Sequence, residues 1–351
     1  MPLSHAPLRR KVTLIDIAAA CGVSRATVSL VLRGSPLVNR DTRARVQAEL
    51  QRQGYIYNRA AANLRRRTTS SIALVVNDLG NPFFAEFAAG VDEVVGAAGF
   101  VTLLGSTGES AERQQAVLGS LVEHNPGGVI LSPAEGSEAA RVMDALGPQM
   151  PLLMFNRELE GEAPASAPWD TLMLDNARGI GLATEHLIAR GHRRIAFFGG
   201  HARSTPGQQR RAGFLAAMKR AKLEVPSGFL VESAPNRLDA ARASAVLLDL
   251  RTRPTAAVCY NDAVALGLML AMGRRGMRPG RDLALTGFDD IDEAALASPG
   301  LTTLATAPRE RGRQAARLLL ARLGHPHEPG QRTTVPVELV IRESSCPPPA
   351  A

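Results

Sequence analysis

The chain has 351 residues, 45% of them apolar, and a formal net charge of +8, enough for sizeable cores in two or three domains. Cys21, Cys259 and Cys346 lie far apart with no C-x-x-C pair, which argues against a disulfide framework or a cysteine-based metal site. No run approaches the ~18 apolar residues that span a bilayer, and no apolar segment follows the bases of Met1 to Lys11 as a signal peptide requires, so a soluble intracellular protein without membrane contact is expected.

The charge is unevenly placed. Residues 1–70 hold thirteen Lys and Arg against three acids, and the remaining 281 hold 28 against 30. Such concentration suits a polyanion, because each base that neutralises a phosphate releases condensed counterions. A solvated basic tail would carry the same charge, but not the apolar pattern found between these bases. Thr13 with Asp16 three residues on forms a capping box, Asp standing for the usual Glu or Gln, ahead of Leu14, Ile17 and Ala18 at helical spacing. Cys21-Gly22 ends that helix, Val23 turns inward, and Ser24 caps a second helix from Arg25 to Leu32. Two short helices across a glycine turn predict a helix-turn-helix. Its second helix would offer Ser24, Arg25, Ala26, Thr27 and Ser29 to the major groove and bury Val28 and Leu32. Arg25 suits guanine O6 and N7, and Ala26 a thymine methyl. A third helix runs from Asn39, as cap, through Val46 and Leu50 to Gly54.

Asn58 would cap a further helix through Ala60, Ala61 and Ala62 to about Arg66, too short to hold in water alone, where about 12 to 15 residues are needed. The cluster Arg65, Arg66, Arg67 points to DNA as what orders it, with Leu64 available to wedge into a base step. The bland alternative is an Arg-rich linker.

The stretches TLIDIA, GVS, TVS, VLRG, TRARV and GYIYNRAAANL make residues Val12 to Leu64 resemble the headpiece and hinge of the LacI/GalR family of bacterial transcription repressors. The resemblance implies a DNA-binding domain over 11–57 and a hinge helix or linker over 58–67. It places base reading on Ser24, Arg25, Ala26, Ser29 and Leu30, phosphate contacts on Thr13, Asn39 and Thr42, and hinge contacts on Asn58, Ala61 and the wedge Leu64. Leu30 stands where Arg is often found, Arg33 where Asn is common, and Tyr57 where Pro usually precedes the hinge Asn. Leu30 cannot hydrogen-bond a guanine, so the operator cannot be copied from better-known relatives. Tyr57 leaves the linker less restrained than Pro would.

After Ser71 apolar runs alternate with helical stretches: IALVV, VTLL, GVIL, PLLMF, TLML, IAFFGG, FLVES, AAVCY, LALTGFD and VPVELV. Unalternating runs of this length indicate strands buried on both faces of parallel sheets. Ten strands are too many for one such sheet, so two doubly wound parallel-sheet subdomains are expected, with ligands at the carboxyl ends of the strands. NDLGNPFFAEF, DNARGIGLATEHLIARGHRRIAFFGG, RRAGF, YNDAVALG and LTGFDD resemble the periplasmic-binding-protein-like α/β core of the same family. The fold class is therefore a small all-α helix-turn-helix headpiece followed by an α/β core over 72–343. The family topology implies an N-subdomain of about 72–170 and 300–330, a C-subdomain of about 171–299 and 331–343, and a tail over 344–351.

The family's effector positions fall on Phe83, Phe84, Asn156, Arg157, Arg210, Asn261 and Asp289. Aromatic faces would meet an apolar ring surface, and Arg, Asn and Asp would hydrogen-bond hydroxyls or a carboxylate. Plainer roles stay open: Asp289 or Asp262 as a helix cap, Phe84 as core, Arg157 as a salt bridge between lobes. Ala234-Pro235-Asn236-Arg237 offers no second stacking aromatic, which favours a small acidic or polyhydroxylated effector over a purine, with Arg237 nearby. Trp169 is assigned to lobe packing, and His186, His192 and His201 lack metal-ligand spacing.

The chain has no G-x-x-x-x-G-K-[ST], G-x-G-x-x-G after its first strand, G-x-S-x-G or H-E-x-x-H, so no catalytic residue, metal or cofactor is expected and an enzyme is disfavoured. A transport solute receptor would share the core but not the basic headpiece. The expectation is a cytoplasmic, nucleoid-associated homodimer that acts as an effector-responsive repressor. Its partners would be a pseudo-palindromic double-stranded DNA operator and a small effector: a sugar, sugar acid or other small polar metabolite.

Overall fold

The computed structural model describes residues 12–55, 69–161, 169–326 and 328–345. Contacts divide the chain at 68/69 into two units. In the first, α1 (Leu14–Cys21), α2 (Arg25–Leu32) and α3 (Arg40–Arg52) are each started by a side-chain cap. The Thr13 hydroxyl accepts the Asp16 N–H at 3.3 Å while the Asp16 carboxylate accepts the Thr13 N–H at 2.8 Å. Ser24 accepts the Thr27 N–H at 3.1 Å, and Asn39 the Thr42 N–H at 2.8 Å. Gly22, at φ 63, closes α1 in the left-handed conformation, so that Val23 N–H reaches the Ala18 carbonyl. The same hydrogen bonds recur at Gly34 and Gly54. Eight-residue helices cannot stand alone, and these are held by a core of Ile17, Val28, Val31, Val38 and Val46. Val31, not the expected Leu32, pairs with Val28 at the buried i, i+3 spacing, and Leu32 is half-buried.

The second unit is an α/β core. Its first lobe contains β1 (Ser71–Val76), α4 (Pro82–Ala97), β2 (Val101–Ser106), α5 (Ala111–Val122), β3 (Val129–Leu131), α6 (Ala139–Leu146), β4 (Leu152–Phe155) and β5 (Trp169–Leu174). The second contains α7 (Asn176–Ala189), β6 (Ile195–Phe198), α8 (Thr205–Arg220), β7 (Leu230–Val231), α9 (Arg237–Leu248), β8 (Ala256–Cys259), α10 (Asp262–Arg274), β9 (Ala284–Thr286), α11 (Asp292–Leu296) and β10 (Thr303–Ala305). The chain then returns to the first lobe for α12 (Pro308–Gly324) and β11 (Arg332–Val335), and crosses back to β12 (Glu338–Val340). The first sheet has the order β11-β5-β4-β3-β1-β2 and the second β7-β6-β8-β9, both parallel, as expected of two doubly wound lobes. β10 and β12 pair antiparallel beside α7.

The crossings fall later than expected. β5 pairs with β4 on one side and β11 on the other, so 171–174 and 332–335 belong to the first lobe rather than the second. Residues 303–305, expected in the first lobe, bridge the second sheet at Thr286–Thr302 and Asp289–Ala305. The chain thus changes lobe after Leu174, Ala305 and Val335. VPVELV is two strands, because Pro336 has no N–H to continue a ladder. β2 is an edge strand, with Val101 53% and Leu104 47% exposed, rather than a strand buried on both faces.

Glycines bring α4 and α12 into backbone contact. A Cβ at Gly90 would lie 1.9 Å from the Arg309 carbonyl oxygen, and one at Gly312 would lie 2.0 Å from that of Phe87. Below them Arg322 and Asp170, both buried, form a two-pronged ion pair. Among the described residues no single helix is long and apolar enough to cross a membrane.

Candidate functional site

In the headpiece, Ser24, Arg25 and Ala26 open α2 and are exposed, and Thr27, Ser29 and Leu30 are half-buried. No hydrogen bond or ion pair among the described residues engages the Arg25 guanidinium. Ser24 and Thr27 hydroxyls share a 2.9 Å hydrogen bond, and the Ser29 hydroxyl accepts from Arg33 at 3.1 Å. Sequence reasoning missed that pairing, which sets a guanidinium beside the last turn of α2. Leu30 packs partly against the headpiece core. Thr13, Asn39 and Thr42 lie at the capped starts of α1 and α3, where free backbone N–H groups and the helix dipole favour an anion. Of the surrounding bases, Arg43 is spent on the Ser35 carbonyl at 2.6 Å, and Arg52 on Glu49 at 2.6 Å. Asn58, Ala61 and Leu64 lie outside the described residues.

In the core a cavity of about 400 Å³ opens between the lobes, at the carboxyl ends of the strands of both sheets, and all seven expected positions line it. Asn81 caps α4 through the Phe83 N–H at 3.1 Å, which turns Phe83 and Phe84 to the cavity with ring centroids 5.1 Å apart and planes at 81°. Phe84, 8% exposed, is core and wall at once. Asn156 follows β4 at φ 56, and its amide oxygen accepts from Asn176 at 3.2 Å. Arg157 does not bridge the lobes: both its Nη atoms reach Glu109 at 2.7 Å, inside the first lobe. Burial alone would lower its pKa, but the Glu109 charge and hydrogen bonds hold it above the ordinary range.

On the opposite wall Arg210, 2% exposed, donates through Nε to Asn176 at 2.9 Å and through Nη1 to the Tyr260 carbonyl at 2.7 Å. Its guanidinium lies 3.7 Å from the Phe288 ring centroid and 4.6 Å from that of Tyr260. Asn261 caps α10 through the Val264 N–H at 2.9 Å, and its amide nitrogen donates to the Pro235 carbonyl at 3.4 Å. Asp289 is no cap. It is 3% exposed at φ 129, and no hydrogen bond among the described residues engages its carboxylate. Burial pushes that carboxyl well above the ordinary range, against the pull of Arg210 and helped by Asp262. Asp262 is a tie rather than a cap: it accepts the Thr303 hydroxyl at 2.5 Å and the Ile291 N–H at 3.0 Å, joining α10 to β10 and to the start of α11.

Other expectations changed. Arg237 turns away to Glu293 at 2.6 Å, while Tyr260, Asp78, Glu109 and His201 join the lining. Tyr260 was visible as the end of AAVCY; Glu109 carried no local signal. Trp169 is buried in the first-lobe core. At the rim the lobes meet through His201 and Glu135 at 3.5 Å, the Arg203 N–H and Glu135 at 3.1 Å, and the Glu158 N–H and Thr205 hydroxyl at 3.1 Å. Among the described residues no group of three His, Cys, Asp or Glu is placed to hold a metal.

Residues 13–58 match the family model for bacterial regulatory proteins, lacI family, and residues 184–345 that for the periplasmic binding protein-like domain. The maltose regulon regulatory protein MalI of Escherichia coli is 31% identical over 340 residues, covering 94% of this chain and 98% of its own. The ribose operon repressor of Haemophilus influenzae is 31% identical over 335 residues, covering 95% and 98%. The crystal structure of the Lac repressor dimer bound to operator and the anti-inducer ONPF is similar at a TM-score of 0.83 and 25% identity, over 96% of this chain and 100% of that one.

Proposed function

Because the chain belongs to the lacI family of bacterial regulatory proteins, and is thus a DNA-binding transcriptional regulator, we propose that it is a cytoplasmic repressor that reads its operator through α2 and answers to a small neutral polyhydroxylated effector in the interlobe cavity. Arg25, Ala26 and Ser24 are the base-reading groups, Thr13, Asn39 and Thr42 the phosphate contacts, and Leu64, outside the described residues, the wedge. The chemistry of the chain gives no reason to add a catalytic role.

One headpiece buries too little for specific binding, so two, related by a two-fold axis and about one helical turn apart, read a pseudo-palindrome. Support for a dimer comes from the dimeric Lac repressor. Effector binding that favours one lobe orientation shifts DNA affinity, by ~1–3 kcal/mol of coupling. Whether that coupling tightens or loosens binding follows from which orientation the effector prefers.

The observation that carries the effector reading is the cavity wall itself: the open Asp289 carboxylate beside the fixed Arg210 offers acceptors and donors to hydroxyl groups. The names of two of the relatives, a maltose regulon regulatory protein and a ribose operon repressor, agree with it. Selection of chromosomal fragments by the purified protein at moderate ionic strength tests the DNA half, with inverted half-sites expected; retention of no fragment, with and without candidate sugars, overturns it. Titrating sugars onto the selected complex tests the effector half, and Arg210→Ala is expected to abolish the response. A full response in that variant moves the pocket elsewhere.

A further inference from the structure

The first-lobe arginine of the cavity is already occupied. Arg157 is 6% exposed, Glu109 holds it at two points of 2.7 Å each, and the Pro133 carbonyl accepts from the same Nη1 at 3.1 Å. Asn77, itself fully buried, also donates to Glu109 at 3.5 Å. Glu109 reaches this position through two successive left-handed residues, Gly108 at φ 58 and Glu109 at φ 64. Such a backbone is uncommon for a glutamate and is kept where the surroundings over-determine it. A two-pronged Arg–carboxylate pair is also the geometry in which a protein recognises a ligand carboxylate or phosphate.

We propose that Glu109 sets the charge class of the effector. It fills the place that an acid's carboxylate or phosphate would take on Arg157, and so leaves a cavity that admits neutral polyhydroxylated molecules and turns away organic acids. The remaining lining agrees. Asp78 adds a further carboxylate to the same cavity, and the Arg210 guanidinium is engaged by the Asn176 amide oxygen, the Tyr260 carbonyl and the Phe288 and Tyr260 rings. An acid that displaced Glu109 would strand a second carboxylate in the site, which is costly in a poorly solvated space. The inference rests on reading the cavity as the effector site and names what that site selects.

Glu109→Gly tests it, because glycine accepts the left-handed backbone and empties the place of the side chain. Thermal unfolding of the full-length protein is followed in sodium formate, sodium D-gluconate and sodium chloride at equal ionic strength, and separately in D-glucose and D-ribose. Relative to chloride, the carboxylates are expected to leave the wild type unmoved and to raise the Tm of Glu109→Gly by about 2–4 °C. Adding Arg157→Met to that variant is expected to erase the rise. Glu109→Gln, which keeps the shape and removes the charge, is expected to bind D-gluconate at least about tenfold more tightly than wild type in calorimetry.

Equal carboxylate responses in wild type and Glu109→Gly, or none in either variant, overturn the proposal. If carboxylates stabilise Glu109→Gly while no carbohydrate shifts the wild-type Tm or its release from DNA, the effector reading falls, and selectivity with it. The anion place at Arg157 would then stand by itself.

Discussion

The headpiece and the core treat charge in opposite ways. In the headpiece a core of small aliphatic side chains carries the fold, and Arg25, at the start of α2, is bound to nothing else among the described residues. In the core the buried cations are paired or ringed: Arg157 by Glu109, Arg322 by Asp170, and Arg210 by carbonyl, amide and aromatic groups. Charge left over is available to an external polyanion, whereas charge consumed internally fixes the shape of a cavity. Among the described residues, the buried core carboxylate left without a hydrogen bond, Asp289, lines that cavity.

The core pairs are expected to be indispensable to the fold. Arg322→Met leaves Asp170 buried with only the Gln331 N–H, at 2.9 Å, to offset its charge. A loss of about 3–5 kcal/mol is expected in urea unfolding of the core, and a loss below about 1 kcal/mol would mean that the pair is ornamental. Next comes Asp262, whose carboxyl is pushed up to about 6 by burial, against the hydrogen bonds of Thr303 and Ile291. A raised carboxyl favours the protonated fold, so its contribution is full below about pH 4 and is lost as pH rises through about 6, on the order of 3 kcal/mol in all. Compared with Asp262→Asn, the wild type should therefore weaken between pH 4 and pH 7, and parallel urea midpoints for the two proteins would refute the assignment. The smallest effect sharpens the headpiece side. Arg25→Ala should cost about 1–3 kcal/mol in operator binding, read by fluorescence anisotropy, with less effect on random DNA. Its unfolding free energy should stay within about 0.5 kcal/mol of wild type. Equal loss on both DNAs would make Arg25 a phosphate contact.

What could be read in advance follows the range of the interactions. Thr13, Ser24 and Asn39 were legible as caps because a cap and its target lie three residues apart. The apolar runs announced strands but not which sheet each would join: Trp169–Leu174 and Arg332–Val335 find their partners by register with β4 and with each other. Thr303–Ala305 gave no apolar run and was missed; its short ladder with β12 is built from residues more than thirty apart. The cavity positions were legible through resemblance, yet the Glu109–Arg157 pair spans 48 residues and left no pattern in the sequence.

The glycine-terminated helices of the headpiece carry a consequence for its history. Their starts and stops are fixed by caps, turns and a few aliphatic side chains, so Arg25 and Ala26 bear no structural duty. If α2 reads the operator as proposed, single substitutions there would redirect the protein to new chromosomal addresses without an intermediate that fails to fold.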